Sequence, residues 1–419
     1  MLAYARSIAS FHRDARLYLL VIWFLGMGVS AGITAVLLNI YLLRLGYGPE
    51  TIGAVNSVSQ LGLAISALPA AHLGRRFGNR RMVLIGLGVV ALGNGLVPLA
   101  EVFTGAARLG WLLVTPGLGS VGFALVLVNE KPFIMSVTNS TNRNLFYSLQ
   151  GAIYPLAGFA GSLAGGFLPT AFASAIGAGL ETAVPYRYPL LIAAGLVILA
   201  LVAMSRTHSH DVAASERYSK TAGGPPTKLI IMTALVVFTQ IAGEIAARLF
   251  LNVYLDDKLG LPTTTIGTIA AVAQLVAIPA ALTMPLIASR IGTGRGFVLS
   301  TLGMIGATLL LSAIPDWRAA GLSYVGVIAF ASIARPCIIV IQMELVRQEW
   351  RSSIAAGTTL AYGLSSTLIA FAGGQLIASV GYSVLFAGGG LISLIGVALF
   401  VAYFRAPRGE YAKLQSEST

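Results

Sequence analysis

Apolar residues fill this chain in long uninterrupted runs, and polar residues gather in the short breaks between them. A run of roughly 20 apolar residues crosses a hydrocarbon core of about 30 Å as a helix. Twelve runs meet that length. They predict helices over 17–43, 49–71, 82–103, 111–137, 145–170 and 185–204, then over 228–255, 263–288, 296–315, 318–343, 352–378 and 381–404. The runs are continuously apolar and do not alternate every second residue, so helices are indicated rather than a β-barrel. The longest polar stretch, 205–227, ends in Gly223-Gly224-Pro225-Pro226 and reads as a linker. The expected organisation is a six-helix bundle over 1–204, the linker over 205–227, a second six-helix bundle over 228–404 and a polar tail over 405–419.

The two halves repeat one another. The first helix ends Asn39-Ile40-Tyr41-Leu42, and the seventh ends Asn252-Val253-Tyr254-Leu255. Each then passes a Gly and a Pro (Gly46 and Pro49; Gly260 and Pro262) into Ile52-Gly53 and Ile266-Gly267. Arg143 precedes Gly165-Gly166 by the interval that separates Arg351 from Gly373-Gly374. Recurrence of this kind marks a duplicated unit. The fold class is therefore an all-α membrane protein of twelve transmembrane helices in two six-helix pseudo-repeats. Where transporters are built from parallel repeats, the repeats share a cavity near the midplane.

Composition agrees. Only 10% of the 419 residues are charged, against about 25% in soluble domains. The formal charge of +12 raises the question of nucleic acid, but its distribution answers it. With the helix ends above, 19 of the 27 Lys+Arg fall on one side, five on the other and three inside apolar runs. That asymmetry is the positive-inside pattern, which makes the basic side and both termini cytoplasmic. No basic stripe interleaved with aromatics suggests a nucleic-acid surface. Localisation in a bacterial-type inner membrane follows. Cys337, the only cysteine, rules out an internal disulfide and a cysteine-cluster metal site. The stretch from Leu17 is too long for a signal-peptide core and lacks a clear cleavage site, so it reads as a retained helix. The Asn139-Ser140-Thr141 sequon falls on the inner side and is expected to stay unglycosylated.

Between the second and third helices stands Ala71-His72-Leu73-Gly74-Arg75-Arg76-Phe77-Gly78-Asn79-Arg80-Arg81. This segment resembles the pattern G-x-L-(A/G)-D-R-x-G-R-(R/K) of the major facilitator superfamily. Leu73, Gly74, Arg76, Gly78 and Arg80 match, whereas Ala71, Arg75 and Asn79 replace Gly, Asp and Arg. The resemblance covers nearly the whole chain, and it implies a secondary transporter that works by alternating access. It also makes Leu73, Gly74, Arg75, Arg76, Gly78, Arg80 and Arg81 a cytoplasmic gate loop. In the family the aspartate pairs with neighbouring helix ends and helps hold the outward-open state. An arginine cannot accept those hydrogen bonds, so that part of the gate is altered here. The second half keeps a remnant, Ser289-Arg290-Ile291-Gly292 with Arg295. The fifth helix, with Gly158, Gly161, Gly165 and Gly166, is close to the glycine-rich stretch of family antiporters, although Ser162 stands in place of their proline. These glycines, with Gly373 and Gly374 in the second half, are expected to let helices approach closely. Leu113 stands where the family's drug exporters tend to carry an arginine. Gly117, Gly119 and Gly122 fit a nucleotide-binding spacing but lie in an apolar helix without a preceding strand, so helix packing is the better reading.

A charge in hydrocarbon costs about 2.5–3.5 kcal/mol or more and therefore faces a cavity or a partner. Glu244 and Arg248 lie four residues apart in the seventh helix and can pair, with Gln240 four residues earlier. Glu130 and Lys131 occupy the fourth helix, between Asn129 and Pro132. Arg335 precedes Pro336 in the tenth and needs a partner from elsewhere, Glu130 or Glu244 or a substrate. Glu344, nearer the inner end, has Arg347 within reach. Glu130, Lys131, Gln240, Glu244, Arg248 and Arg335 form the candidate coupling or substrate set. A carboxyl here can carry a proton, and the cations can hold an anionic group of a small solute. Static pairing of Glu244 with Arg248, and solvation of Glu130 and Lys131, are the competing readings. His72 is expected in a loop, and Asn39 and Asn252 to cap and pack. No nucleotide loop supports a pump, and no histidine lies inside the membrane to build an enzyme site. A lipid or lysolipid flippase on the same fold is the alternative, ahead of a membrane-embedded enzyme. The chain is expected to act as a monomer in the lipid bilayer, with protons and a small-molecule substrate, and with no cofactor or metal.

Overall fold

The computed structural model describes residues 11–139, 142–208, 226–346 and 350–404. Twelve helices among them are long and apolar enough to cross a membrane. In chain order these are α1 (Arg13–Arg44), α2 (Pro49–Phe77), α3 (Asn79–Val102), α4 (Gly105–Val137), α5 (Leu145–Ile176) and α6 (Val184–Ser205). They continue with α7 (Thr227–Lys258), α8 (Thr263–Ile291), α9 (Thr293–Ala313), α10 (Trp317–Glu344), α11 (Ser353–Val380) and α12 (Tyr382–Phe404).

Several helices run past the apolar core that predicted them. The helix α2 continues from residue 71 to Phe77, which places His72 on a helix and not in a loop. It stops where Gly78 adopts φ 91°, a backbone that only glycine takes without strain. Gly292, between α8 and α9, does the same at φ 85°. The basic loop and its second-half remnant thus turn on equivalent glycines.

The chain divides into two compact units. The first comprises 1–48, 54–214 and 261–275; the second comprises 49–53, 215–260 and 276–419. Each repeats one packing scheme. In the first unit α3 packs on α4 and α6, and α1 packs on α5 and α6. In the second α9 packs on α10 and α12, and α7 packs on α11 and α12. Tyr18, Ile22, Leu87, Phe133, Phe146 and Val197 centre the core of the first. Val236, Ile245, Phe297, Cys337 and Phe400 do so in the second.

Neither α1 nor α7 is continuous. In α1 the α-helix ends at Leu25, a π-turn spans Gly26–Ser30, and the helix resumes over Ile33–Arg44. The break is written in glycine. A Cβ on Gly32 would collide with the Met27 carbonyl. The glycines of α5 fit against this break: Gly158 meets Ala31, Gly161 meets the Met27 carbonyl and Gly32, and Gly165 meets Ile33. Ser162, the residue in place of the antiporter proline, is fully buried and donates to the Ala31 carbonyl at 2.9 Å. Backbone that leaves the helical ladder inside a membrane needs such a partner. In α7 the first segment ends at Gln240 and a second runs over Ala242–Val253. The Gly243 amide donates to Ser393 Oγ of α12 at 3.0 Å. Gly166 packs on Gly267 in the first unit, and in the second Gly374 packs on Gly53 while Gly373 meets Phe250 and Leu385.

Candidate functional site

In the second unit the break in α7 starts a new helical segment two residues before Glu244. A carboxylate in a first helical turn sits at the positive end of the dipole. Arg248 follows one turn later, and its Nε donates to Glu244 Oε1 at 2.7 Å. Arg335 of α10 donates through Nη2 to the same oxygen at 2.6 Å. Its guanidinium also lies 5.8 Å from the ring centre of Tyr362 on α11. Glu244 is therefore the partner that Arg335 required from another helix. The three groups differ sharply in exposure: 4% for the Glu244 side chain, 31% for Arg248 and 51% for Arg335. One carboxylate faces two guanidinium groups, so the cluster carries a net positive charge, and both cations remain reachable. Gln240 stands apart from it. The helix breaks between the two, and Gln240 is buried against Gly396 of α12, its Oε1 without a hydrogen-bond partner.

In the first unit Glu130 of α4 is half-buried, and Tyr18 of α1 donates to its Oε2 at 3.2 Å. No ion pair to Glu130 within 4.0 Å occurs among the described residues. Lys131 is exposed. Asn129 turns the other way, donating to the Ala70 and Leu125 carbonyls and filling the space where a Cβ on Gly74 would go. That contact explains the glycine at position 74.

The expected basic loop is helical except at Gly78, since Leu73 to Arg76 lie in the last turn of α2 and Arg80 and Arg81 in the first turn of α3. Its residues divide into exposed and engaged ones. Arg75, Arg76 and Arg81 are exposed, with Arg76 over the Phe77 ring at 5.2 Å, and Leu73 is half-buried. Arg80 instead reaches the end of α6, donating to the Ser205 carbonyl at 2.8 Å and to Thr207 Oγ1 at 3.1 Å. The same end is held by Asp14, which is fully buried and accepts from the His208 amide at 3.1 Å. The Nδ1 atoms of His208 and His12 lie 3.4 and 3.8 Å from its carboxylate. Sequence reasoning passed over Asp14 because Arg13 and Arg16 flank it. It also passed over Tyr18, an aromatic inside an apolar run with nothing to mark it. Asn39 accepts from Asn56 at 2.9 Å. Ser140, Thr141, His210 and Arg347 lie outside the described residues.

The family model described as Major Facilitator Superfamily matches residues 18–236 and again 233–418. The chain belongs to that superfamily. It is accordingly an integral membrane protein with the superfamily's fold. An uncharacterised MFS-type transporter of Mycobacterium tuberculosis is 32% identical over 129 residues, which is 30% of this chain and 20% of that protein. The chain thus aligns with only about a fifth of the length of this curated relative. Solved structures match much further. The nucleoside transporter NupG superposes with a TM-score of 0.71 at 14% identity, over 94% of this chain and 100% of that one. The inward-open xylose transporter XylE of E. coli gives 0.73 at 12%, over 93% and 96%. A POT family transporter in complex with 5-aminolevulinic acid gives 0.72 at 14%, over 93% and 96%. At such identities the likeness is one of fold.

Proposed function

We propose that this protein is a proton-coupled secondary transporter of a small organic solute bearing an anionic group. The observation that carries this reading is the Glu244–Arg248–Arg335 cluster, with one buried carboxylate against two accessible guanidinium groups. The positive charge left over suits a carboxylate or phosphate on the solute, which arginine can bind through two parallel hydrogen bonds. Glu244 is a poor proton carrier in this arrangement. Protonating it would leave two guanidinium groups side by side without a counter-charge. Glu130 is the better candidate. Its neutral partner Tyr18 can donate to the carboxylate or accept from the carboxylic acid, so both protonation states keep a hydrogen bond.

In this reading the bundles over 1–204 and 228–404 alternate access around the solute, with 205–227 as a cytoplasmic linker. The chain works as a monomer in an inner membrane, with both termini cytoplasmic. The loop around Gly78 serves the cytoplasmic gate, Arg80 tying it to the end of α6. Solved relatives that carry xylose with protons, or hold 5-aminolevulinic acid, support small polar solutes as the substrate class. The test is a thermal-shift screen of the purified protein against neutral, anionic and cationic solutes, because a binder of the native state raises its melting point. Hits among the anions that disappear in Arg335→Ala are expected. Hits confined to cations or neutral solutes would overturn the reading.

A further inference from the structure

A cavity of about 830 Å³ lies in the second unit, where α8 turns into α9 and beside the ends of α10 and α12. It belongs to neither the arginine cluster nor the Glu130 site. Its walls are apolar, with Val298, Leu299, Phe400 and Phe404 among them, and it holds two charges, Arg295 from α9 and Glu344 from α10. Both side chains are exposed, and neither forms an ion pair within 4.0 Å of a described residue. Two opposite charges that share a cavity without joining leave a place for a ligand carrying both signs. Leu299 is 57% exposed, so one wall continues onto the outer face of a membrane-spanning helix, where acyl chains lie.

We propose that this cavity is a binding site for a membrane phospholipid with a primary ammonium headgroup. The phosphate takes the Arg295 guanidinium, the ammonium donates to the Glu344 carboxylate, and an acyl chain runs along Leu299 and the two phenylalanines. The site lies at the second-half counterpart of the basic loop, so the lipid braces the Gly292 turn.

The experiment is native mass spectrometry on the full chain. The protein is purified in detergent and offered phosphatidylethanolamine or phosphatidylglycerol with the same acyl chains. Wild type is expected to retain the ethanolamine lipid about tenfold better. Glu344→Gln is expected to erase that preference while keeping the glycerol lipid. Arg295→Gln is expected to weaken both by about tenfold, and Arg295→Lys to restore them, as befits a charge-assisted contact. Arg318→Gln, far along the chain at the start of α10, controls for charge removal alone. Equal retention of the two lipids by wild type, or unchanged retention in the Gln variants, would overturn the proposal. Selective retention gained only after deletion of 405–419 would also overturn it, by giving the cavity to the chain's own tail.

Discussion

Replacing Arg335 with alanine tests the anion site most directly, because affinity and stability should respond unequally. In Arg335→Ala the buried Glu244 keeps Arg248 at 2.7 Å, so the cluster becomes a neutral pair and not an orphaned charge. Arg335 is 51% exposed, and solvent screening holds its contribution to stability to about 1 kcal/mol or less. Its contact with an anionic solute is a different matter. A hydrogen bond to a charged group contributes about 1.5–3 kcal/mol, and exposure favours the lower end. Loss of about 1.5 kcal/mol is roughly tenfold in affinity. Proteoliposome uptake of a solute identified by thermal shift should therefore show KM raised about tenfold with the melting point nearly unchanged. Glu244→Ala is the contrasting variant. It leaves two guanidinium groups facing each other with no counter-charge, but both are partly exposed and screened, so it should destabilise the protein by about 1–3 kcal/mol, more than Arg335→Ala does. An unchanged KM in Arg335→Ala, or an equal rise for a neutral analogue of the solute, would refute the reasoning.

Three further substitutions probe the rest. Glu130→Gln should abolish uphill transport driven by a proton gradient and spare solute exchange at equilibrium; retained uphill transport would remove Glu130 from the coupling role. Gly161→Ala sets a methyl group against the Met27 carbonyl at the α1 break, an overpacking of about 1–3 kcal/mol or more that should appear as a lower melting point and a poor monodisperse yield. Arg80→Ala frees the end of α6, so hydrogen exchange over 205–208 should speed up while the α6 interior stays protected.

The apolar runs announced the helices because a bilayer demands length and hydrophobicity and little else. The broken helices were harder to read. In α1, Gly26, Gly28 and Gly32 could equally have been packing glycines of a continuous helix, as Gly119 and Gly122 are in α4. The collision between a Cβ on Gly32 and the Met27 carbonyl distinguishes the cases, and it exists only once the backbone has left the helical path. The Glu244–Arg248 pair was legible from spacing alone. Arg335 was legible as a residue needing a partner, but its choice of Glu244 over Glu130 depends on how α10 packs in its own unit. Tyr18 could not be singled out, since one hydroxyl at the end of an apolar side chain leaves no periodic trace.

The hydroxyls that serve the two helix breaks have opposite polarity. Ser162 donates a hydrogen bond to a carbonyl, whereas Ser393 accepts one from an amide. A buried carbonyl has two lone pairs and is found under-satisfied more often than a buried amide is found without an acceptor. The two halves therefore differ in tolerance although their outlines repeat. Ser162→Ala leaves an acceptor that a neighbouring donor or a stray water can serve. Ser393→Ala strands a donor, which should cost more in melting temperature and confine position 393 to side chains that offer a lone pair.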